Sequence, residues 1–226
     1  MRTLPLLAAA ILFINGESLR AEDPKASLPK VVLLGDSIRL SYAPTVAKLL
    51  EGKVELISPK PNGGDSSNLL KNLDEWAIKP QPEVIHFNCG IHDMKKTKGK
   101  EQFQVSPEQY EANLRKIVER LRKETKAKVI FAVITPVIDE RAAPSRAKAN
   151  YELLEASAQR YSEIARKVMK ELDVPVNDLR ALMPDMATRD KLMSGDGIHF
   201  TGEGAAKLGA QVADIVSKHL PVKPKQ

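Results

Sequence analysis

The 226-residue sequence contains a single cysteine, Cys89, and few aromatic residues, with one Trp, four Tyr and five Phe. One cysteine excludes an intrachain disulfide and a cysteine-based zinc site. Positive charges are interspersed with negative ones, and with so few aromatic residues this distribution argues against a nucleic-acid partner. Beyond the first 21 residues no apolar run is long enough to cross a bilayer, so we expect no stable membrane insertion.

The overall composition is that of a globular protein. Hydrophobic residues make up 42% and charged residues 28% of the sequence, and the formal net charge is +6. This balance excludes collagen-like, disordered and multi-span membrane chains. Because no linker or repeat interrupts residues 22–226, we expect this segment to form a single domain of ordinary size.

The N-terminus has the pattern of an export signal. Arg2 provides a short positive region, an uncharged apolar stretch covers residues 4–14, and a more polar stretch ends at the small residue Ala21. The apolar stretch is too short to span a bilayer, which is typical of a signal peptide; the alternative is a buried N-terminal helix. We therefore predict a signal peptide at residues 1–21 and a mature protein that is secreted or periplasmic.

Apolar, β-branched runs alternate with amphipathic segments along the rest of the chain. This alternation predicts a parallel sheet covered by helices on both faces. Strands are expected at residues 30–34, 53–57, 83–88, 128–134 and 174–176, and helices at 44–50, 67–76, 106–125, 150–172 and 202–219. Sites in such folds lie at the carboxyl ends of the strands, so the long loops 92–105 and 135–149 are expected to border the site.

Two short motifs carry groups suited to nucleophilic catalysis. Ser37 follows the first predicted strand in a Gly-Asp-Ser turn, where its hydroxyl would be exposed and its N–H could face an oxyanion. Asp196 lies three residues before His199, a spacing that lets the carboxylate bind the imidazole and fix its tautomer. Taken singly, each motif also fits a structural role, with Ser37 as a helix cap and His199 as a turn residue.

Two further motifs follow the second and third predicted strands. In the Asn-Gly-Gly-Asp-Ser segment at 62–66, a glycine lets the backbone approach a substrate closely and donate an N–H. The same composition also fits an ordinary loop before a helix. The segment 88–93 places Asn88, His92 and Asp93 near the same rim of the predicted sheet.

Together, the four motifs resemble those of the SGNH hydrolase family, also called GDSL esterases, because they occur in the family's order on the expected elements. The resemblance extends over residues 30–220. It implies an α/β fold of the flavodoxin-like kind, a three-layer α/β/α sandwich with about five parallel strands. It also implies ester hydrolysis by a serine nucleophile, without a metal or an organic cofactor.

The resemblance assigns roles to individual positions. Ser37 would be the nucleophile, His199 the general base and acid, and Asp196 the residue that orients His199. The backbone N–H groups of Ser37 and Gly64 would form two-thirds of the oxyanion hole, with Gly63 as the alternative to Gly64.

One position departs from the family pattern. The third block is usually Gly-x-Asn-Asp, and its asparagine completes the oxyanion hole, whereas this chain has His92 at that place. A neutral histidine can donate one N–H, so His92 is the candidate third donor. Asn88 is a second candidate, and a site without a third donor is a further alternative. His92 itself would then form a structural hydrogen bond or contact substrate. Asp36, Asn88 and Asp93 are also candidates for binding substrate, although Asp93 equally suits a loop-supporting role.

Other groups of residues point less clearly to chemistry. The candidate metal ligands show no tight histidine spacing, so we predict no metal. They are His86, His92, Asp93 and His199. Cys89 suits a small buried residue better than a nucleophile. The loop after it is basic, and it is either solvated or a contact for an acidic glycan. Its lysines are Lys95, Lys96, Lys98 and Lys100.

The substrate is inferred only by analogy. An exported enzyme of this kind without an apolar lid favours a short acyl group, acetyl above all, on a carbohydrate, either a polysaccharide or a small molecule such as sialic acid. One alternative is a lysophospholipase or thioesterase that acts on longer acyl chains, which the polar loops disfavour. The others are transfer of the acyl group to a glycan and a glycan-binding module without catalytic activity.

Overall fold

A five-stranded parallel sheet organises the computed structural model, which describes residues 27–221. The strands of the molecule are β1 (Lys30–Leu34), β2 (Glu55–Ile57), β3 (Val84–Phe87), β4 (Lys96–Thr97), β5 (Lys128–Ala132), β6 (Tyr151–Glu152) and β7 (Val176–Asn177). The main sheet has the order β2-β1-β3-β5-β7, and β4 pairs with β6 in a separate antiparallel ribbon. The winding of the main sheet reverses between β1 and β3, where flavodoxin-like folds place their sites.

Helices cover both faces of this sheet. They are α1 (Ser37–Leu49), α2 (Ser66–Lys71), α3 (Pro107–Glu124), α4 (Asp139–Ser145), α5 (Glu155–Glu171), α6 (Met186–Leu192) and α7 (Gly202–Lys218), with a π-helical turn at Asp74–Ile78 and a 3₁₀ helix at Leu179–Leu182. Helix α1 packs against α7, whereas α3 packs against α2 and α5. The predicted three-layer α/β/α sandwich is confirmed.

The central strands are apolar on both faces because helices cover both. Val31, Val32 and Leu33 of β1 have no exposed surface, and each such side chain stabilises the fold by about 1.5–3 kcal/mol. The polar exception is His86 in β3, which is fully buried and lies 3.0 Å from the side-chain nitrogen of Asn177. Burial lowers the pKa of His86 to about 3, so this histidine is a neutral, structural residue.

Helix α1 begins at Ser37 rather than at residue 44, where the sequence pattern had placed its start. Asp36 is the reason, since its side chain caps the helix by accepting the N–H of Ile38 at 2.9 Å. Pro44 lies inside the helix. The earlier start sets the position of Ser37, which becomes the first residue of α1.

The two long loops at the rim are more structured than predicted. Residues 150–154 were expected to be helical but are not. Tyr151–Glu152 form β6, and α5 begins only at Glu155. Helix α4 occupies the middle of the expected loop 135–149. In the ribbon, Thr97 pairs with Tyr151, which joins the loop after β3 to the loop after β5. Periodicity within one segment cannot reveal such a pairing between distant segments.

No helix between residues 27 and 221 combines the length and the apolar character that a membrane span requires. The signal peptide predicted at residues 1–21 lies outside the described residues.

Candidate active site

Ser37 lies at the carboxyl edge of the sheet, where β1 ends and α1 begins. Gly35, two residues earlier, has φ of +148°, and a Cβ at this position would clash with the side chain of Asn88, so the turn requires glycine. As the first residue of a helix, Ser37 has a backbone N–H without an intrahelical acceptor. The turn therefore presents both the hydroxyl and the N–H of one residue at the rim.

Ser37, His199 and Asp196 form a continuous chain of hydrogen bonds, although they are far apart in the sequence. Ser37 Oγ lies 2.8 Å from His199 Nε2, and His199 Nδ1 lies 2.6 Å from Asp196 Oδ2. Because a carboxylate only accepts hydrogen bonds, Nδ1 carries the imidazole proton and Nε2 accepts the serine hydroxyl. The structure thus brings together the three side chains that the sequence singled out.

Asp196 is held as an ionised group by its own turn. Its Oδ1 atom accepts the hydroxyl of Ser194 at 2.7 Å and the N–H groups of Ile198 at 3.0 Å and His199 at 2.9 Å. Burial disfavours the negative charge, but these donors outweigh it and keep the pKa of Asp196 well below its usual value. A charged, fixed carboxylate therefore faces His199.

Arg146 is a further partner of Asp196 that the sequence did not single out. Its guanidinium donates to Asp196 Oδ2 at 3.3 Å and to the carbonyl oxygen of Asp196 at 3.2 Å. Arg146 caps the C-terminus of α4, inside the segment that the sequence assigned to a rim loop. Its position at the rim was foreseeable from the topology, whereas its contact with Asp196 depends on the unforeseen helix.

The two glycines after β2 play different roles. Gly63 donates its N–H to the carbonyl oxygen of Gly35 at 2.9 Å, and a Cβ on Gly63 would overlap that oxygen, so this glycine joins its loop to the Ser37 turn. The Gly63 N–H is thus already used. Gly64 adopts φ of +63° and donates its N–H to the exposed side chain of Asn62 at 2.8 Å. Because the Asn62 side chain is exposed, it can rotate away from the Gly64 N–H, so Gly64 stays the candidate oxyanion donor of the two.

His92 is half-buried at the same rim and is held by Lys95. Lys95 Nζ lies 3.0 Å from His92 Nδ1. An ammonium group has only donors, so Nδ1 accepts and the proton of the neutral ring is on Nε2. Burial and the charge of Lys95 lower the pKa of His92, and the negative charges of Asp36 and Asp65 oppose this shift in part. His92 therefore offers one N–H on the side of the ring that faces away from Lys95.

Three residues that the sequence offered as substrate contacts lie beneath the rim instead. Asp36 and Asp93 are fully buried and Asn88 is 8% exposed. The Asn88 side-chain nitrogen donates to Asp36 Oδ1 at 3.0 Å, which supports the Ser37 turn. The expectation that these side chains contact substrate directly is therefore wrong. They hold the loops that carry the exposed groups.

Asp93 holds the loop that contains Gly64. Its carboxylate accepts the N–H of Ser66 at 3.0 Å and also the Ser66 hydroxyl, to which Asn113 donates at 2.9 Å. Burial raises the pKa of Asp93 to about 7, against the opposing effect of the Ser66 hydrogen bonds. This is the loop-supporting role considered for Asp93 from the sequence.

The raised pKa of Asp93 predicts a pH-dependent stability. The folded state binds the Asp93 proton more tightly than the unfolded chain does, so this group favours folding most at low pH. Its contribution is lost as pH rises from 3.8 to about 7 and amounts to about 4 kcal/mol at most. In urea unfolding, the Asp93→Asn variant is expected to gain stability relative to the wild type across this range.

The exposed Asp185 provides the contrasting control. It caps α6, and its hydrogen bond to the backbone of Thr188 lowers its pKa, so Asp185→Asn should instead lose stability relative to the wild type as pH rises from acid to neutral. An Asp93→Asn variant that follows the wild type at every pH would contradict the assignment of a raised pKa to Asp93.

Cys89 and the histidines do not form a second reactive centre in the described part of the chain. Cys89 is 1% exposed, and burial, reinforced by the charge of Asp93, raises the pKa of its thiol far above the usual value. Within residues 27–221, no three side chains of His, Cys, Asp or Glu are grouped as metal ligands would be.

One small cavity lies behind the Ser37 turn, and one open cleft lies beside Asp196. The cavity behind the Ser37 turn has a volume of about 10 Å³, and Asp36, Ile38 and Leu179 contribute to its walls. An open cleft of about 580 Å³ lies beside Asp196 and is lined by Arg146 and Tyr151 among others.

The basic loop after β3 is partly anchored rather than freely solvated. Lys96 forms an ion pair with Glu101 at 2.6 Å. Lys98 donates to the carbonyl oxygens of Arg146 at 2.7 Å and Ala147 at 3.0 Å, so it contacts the segment that lines the wide cleft.

The three-layer sandwich places this hydrogen-bonded rim at its switch point, the usual location of a site in such folds. The profile of the GDSL-like lipase/acylhydrolase family matches residues 33–207. The chain therefore belongs to that family, as its motifs indicated, and its activity is that of an esterase or acylhydrolase on acylated substrates.

The chain is also similar to individual known proteins. A GDSL esterase/lipase of Arabidopsis thaliana is 25% identical over 206 residues, which cover 83% of this chain and 85% of the relative. The lipase/acylhydrolase from Enterococcus faecalis is similar in structure, with a TM-score of 0.70 and 22% identity over 88% of this chain and 100% of that one. The acetyl xylan esterase AlAXEase has a TM-score of 0.66 and 19% identity over 83% and 99% of the two chains. The structural neighbours share the fold described above.

Proposed function

We propose that the protein is a serine esterase in which Ser37 attacks the ester carbonyl and forms an acyl-enzyme. His199 Nε2 lies 2.8 Å from Ser37 Oγ and takes the hydroxyl proton as the oxygen attacks. Asp196, 2.6 Å from the other ring nitrogen, orients His199 and stabilises the imidazolium that forms. The hydrogen-bonded chain of these three side chains is the observation that carries the proposal.

The two half-reactions use the same groups in turn. When the tetrahedral intermediate collapses, the bond between the acyl carbon and the alcohol oxygen breaks, and His199 gives its proton to the departing alcohol. The acyl group remains on Ser37. A water molecule then attacks the acyl carbon while His199 accepts one of its protons, and the free acid and the serine hydroxyl are regenerated.

Three donors stabilise the oxyanion of each tetrahedral intermediate in this proposal. Two are the backbone N–H groups of Ser37 and Gly64, the second after Asn62 has rotated away. The third is His92 Nε2–H, which takes the place of the family's asparagine amide. One such donor is worth about a hundredfold in rate, so His92 is expected to matter to kcat.

The composition of the rim favours a short acyl group on a larger alcohol. The rim loops 92–105 and 135–149 are rich in polar and basic residues, which disfavours a long acyl chain. The cleft of about 580 Å³ offers a tyrosine ring and polar groups to an alcohol as large as a sugar. Acetyl xylan esterases are among the solved structures that share this fold. We propose acetyl or similarly short esters of a carbohydrate as substrates.

Export is part of the same proposal. A signal peptide at residues 1–21 followed by a single enzymatic domain at 22–226 would place the enzyme in the periplasm or outside the cell, where acylated polysaccharides are accessible. The N-terminal sequence of the mature protein recovered from a periplasmic or culture fraction tests this point. A protein that retains Met1 in the cytoplasmic fraction would contradict it.

A substrate series tests the proposed activity. We expect p-nitrophenyl acetate to be hydrolysed with the highest kcat/KM, activity to fall steeply by eight carbons, and acetate to be released from acetylated xylan or acetylated sialic acid. A preference for eight or more carbons would instead indicate a lysophospholipase or thioesterase. No turnover of any ester would indicate a binding module, and acetylated glycan products without free acetate would indicate acyl transfer.

A further inference from the structure

Lys95 is a charged residue of the rim that the proposed mechanism does not use. Its ammonium group lies between two groups, with Nζ 3.0 Å from His92 Nδ1 and 4.9 Å from the centre of the Tyr151 ring. No carboxylate among residues 27–221 lies within 4.0 Å of Lys95 Nζ. The ammonium group of Lys95 is therefore directed at the imidazole, and the carboxylate of Asp65 acts on its charge only from a longer distance.

The position of this ammonium group is built into the fold. The ribbon pairs Thr97 with Tyr151, and this pairing brings the tyrosine ring beneath the lysine that precedes β4. A cation above an aromatic face is stabilised by the ring, which offsets part of the cost of half-burying Lys95. The β4–β6 ribbon thus joins the two rim loops and also fixes the position of Lys95, which contacts His92.

We propose that Lys95 is a positioning residue of the oxyanion hole, which fixes His92 in the tautomer that carries its proton on Nε2 and polarises that N–H. The inference rests on the proposed function, because it needs His92 to be the third donor. A neutral imidazole has one proton for two nitrogens. If Nδ1 carried it, Nε2 would present a lone pair to the developing oxyanion and would repel it.

The lysine also strengthens the donor that it selects. The ammonium group that is hydrogen-bonded to Nδ1 withdraws electron density from the ring, which makes the Nε2–H a stronger donor. Hydrogen bonds that are linked in a chain strengthen one another in this way. An asparagine amide, as in the family pattern, needs no such partner because its N–H groups are always donors. The histidine and the lysine therefore act as a pair that replaces one asparagine.

A double-mutant cycle tests this pairing. Lys95→Met, which keeps the length of the side chain, is expected to lower kcat for p-nitrophenyl acetate about tenfold with little change in KM, while His92→Ala lowers kcat about a hundredfold. In a His92→Asn background the same Lys95 substitution should change kcat by less than about twofold. Lys100→Met, on the exposed part of the same loop, is the control and should behave like the wild type.

The tautomer itself can be observed. The sequence has four histidines, so a protein labelled with ¹⁵N only in histidine gives a simple spectrum, in which the His92 signals are those missing from the His92→Asn variant. Long-range ¹H–¹⁵N correlations should show a protonated Nε2 and an unprotonated Nδ1 on His92. In Lys95→Met both tautomers should be present.

The outcomes separate this inference from the proposed function. A tenfold loss that persists in the His92→Asn background, or a His92 ring protonated on Nδ1 in the wild type, would overturn the role of Lys95. Wild-type kcat in Lys95→Met alongside a strongly impaired His92→Ala would do the same. Wild-type kcat in His92→Ala would overturn the role of His92 as third donor and, with it, the role of Lys95. Turnover by Ser37→Ala near the wild-type rate would instead overturn the serine esterase proposal.

Discussion

Ser37→Ala is expected to lower kcat by about 10⁵- to 10⁶-fold and to leave the fold intact. The variant loses the attacking oxygen, and His199 then has no hydroxyl to deprotonate at 2.8 Å. Binding groups and oxyanion donors remain, so the residual rate should still exceed that of the reaction in water. Initial rates with p-nitrophenyl acetate over a wide range of enzyme concentration measure this loss.

Ser41 provides a matched control for this experiment. It lies one turn later in α1, and its hydroxyl donates to the carbonyl oxygen of Ile38 at 2.7 Å rather than to a rim residue. Ser41→Ala should therefore retain wild-type turnover. Circular dichroism and the thermal midpoint of both variants should match those of the wild type, because Asp36 and not Ser37 caps α1. Turnover by Ser37→Ala near the wild-type rate would refute the nucleophile.

Asp196→Asn is expected to lower kcat by about 10³- to 10⁴-fold. The amide oxygen can replace Oδ1 and keep the backbone N–H groups of Ile198 and His199 satisfied, so the turn survives. The amide nitrogen then replaces Oδ2. Because it is a donor, it favours the wrong tautomer of His199, and it also faces the guanidinium of Arg146. The pH profile of kcat/KM should change together with its magnitude.

Asp190→Asn is the control for the aspartate. Asp190 forms an exposed ion pair with Arg141 at 2.7 Å, and exposed pairs of this kind contribute little to stability or activity. An Asp196→Asn variant as active as Asp190→Asn would show that the carboxylate next to His199 does not assist the reaction. Arg146→Met should have a smaller effect than Asp196→Asn, since the backbone donors alone still hold the carboxylate.

Local sequence pattern was sufficient to locate the strands of the main sheet, but not those of the β4–β6 ribbon. The predicted strand at residues 30–34 coincides with β1, because a strand buried on both faces is a continuous apolar run. Parallel topology then brings the carboxyl ends of β1 and β3 to one edge. The contact of Ser37 with His199 and Asp196 could be expected because their motifs lie at this edge of the sheet and occur in the order of the family.

Contacts made by tertiary placement were not predictable in the same way. Arg146 reaches Asp196 only because α4 forms inside a segment that resembled a loop, and Lys95 reaches His92 next to a two-residue ribbon that no periodicity reveals. The substrate contacts expected of Asp36, Asn88 and Asp93 were wrong because motif position indicates which loop a residue belongs to, but not whether its side chain points up to the rim or down beneath it.

Trapping the acyl-enzyme tests the central claim most directly. Trypsin cleaves after Lys30 and Arg39, and in the peptide 31–39 the residue Ser37 is the only one with a hydroxyl group. The protein is mixed briefly with p-nitrophenyl acetate, quenched in acid, digested and analysed by mass spectrometry. We predict that this peptide gains the mass of one acetyl group in the wild type and gains nothing in His199→Ala. An enzyme that turns over the ester while the peptide 31–39 remains unmodified at every quench time, with the acetyl group on another residue, would contradict the account.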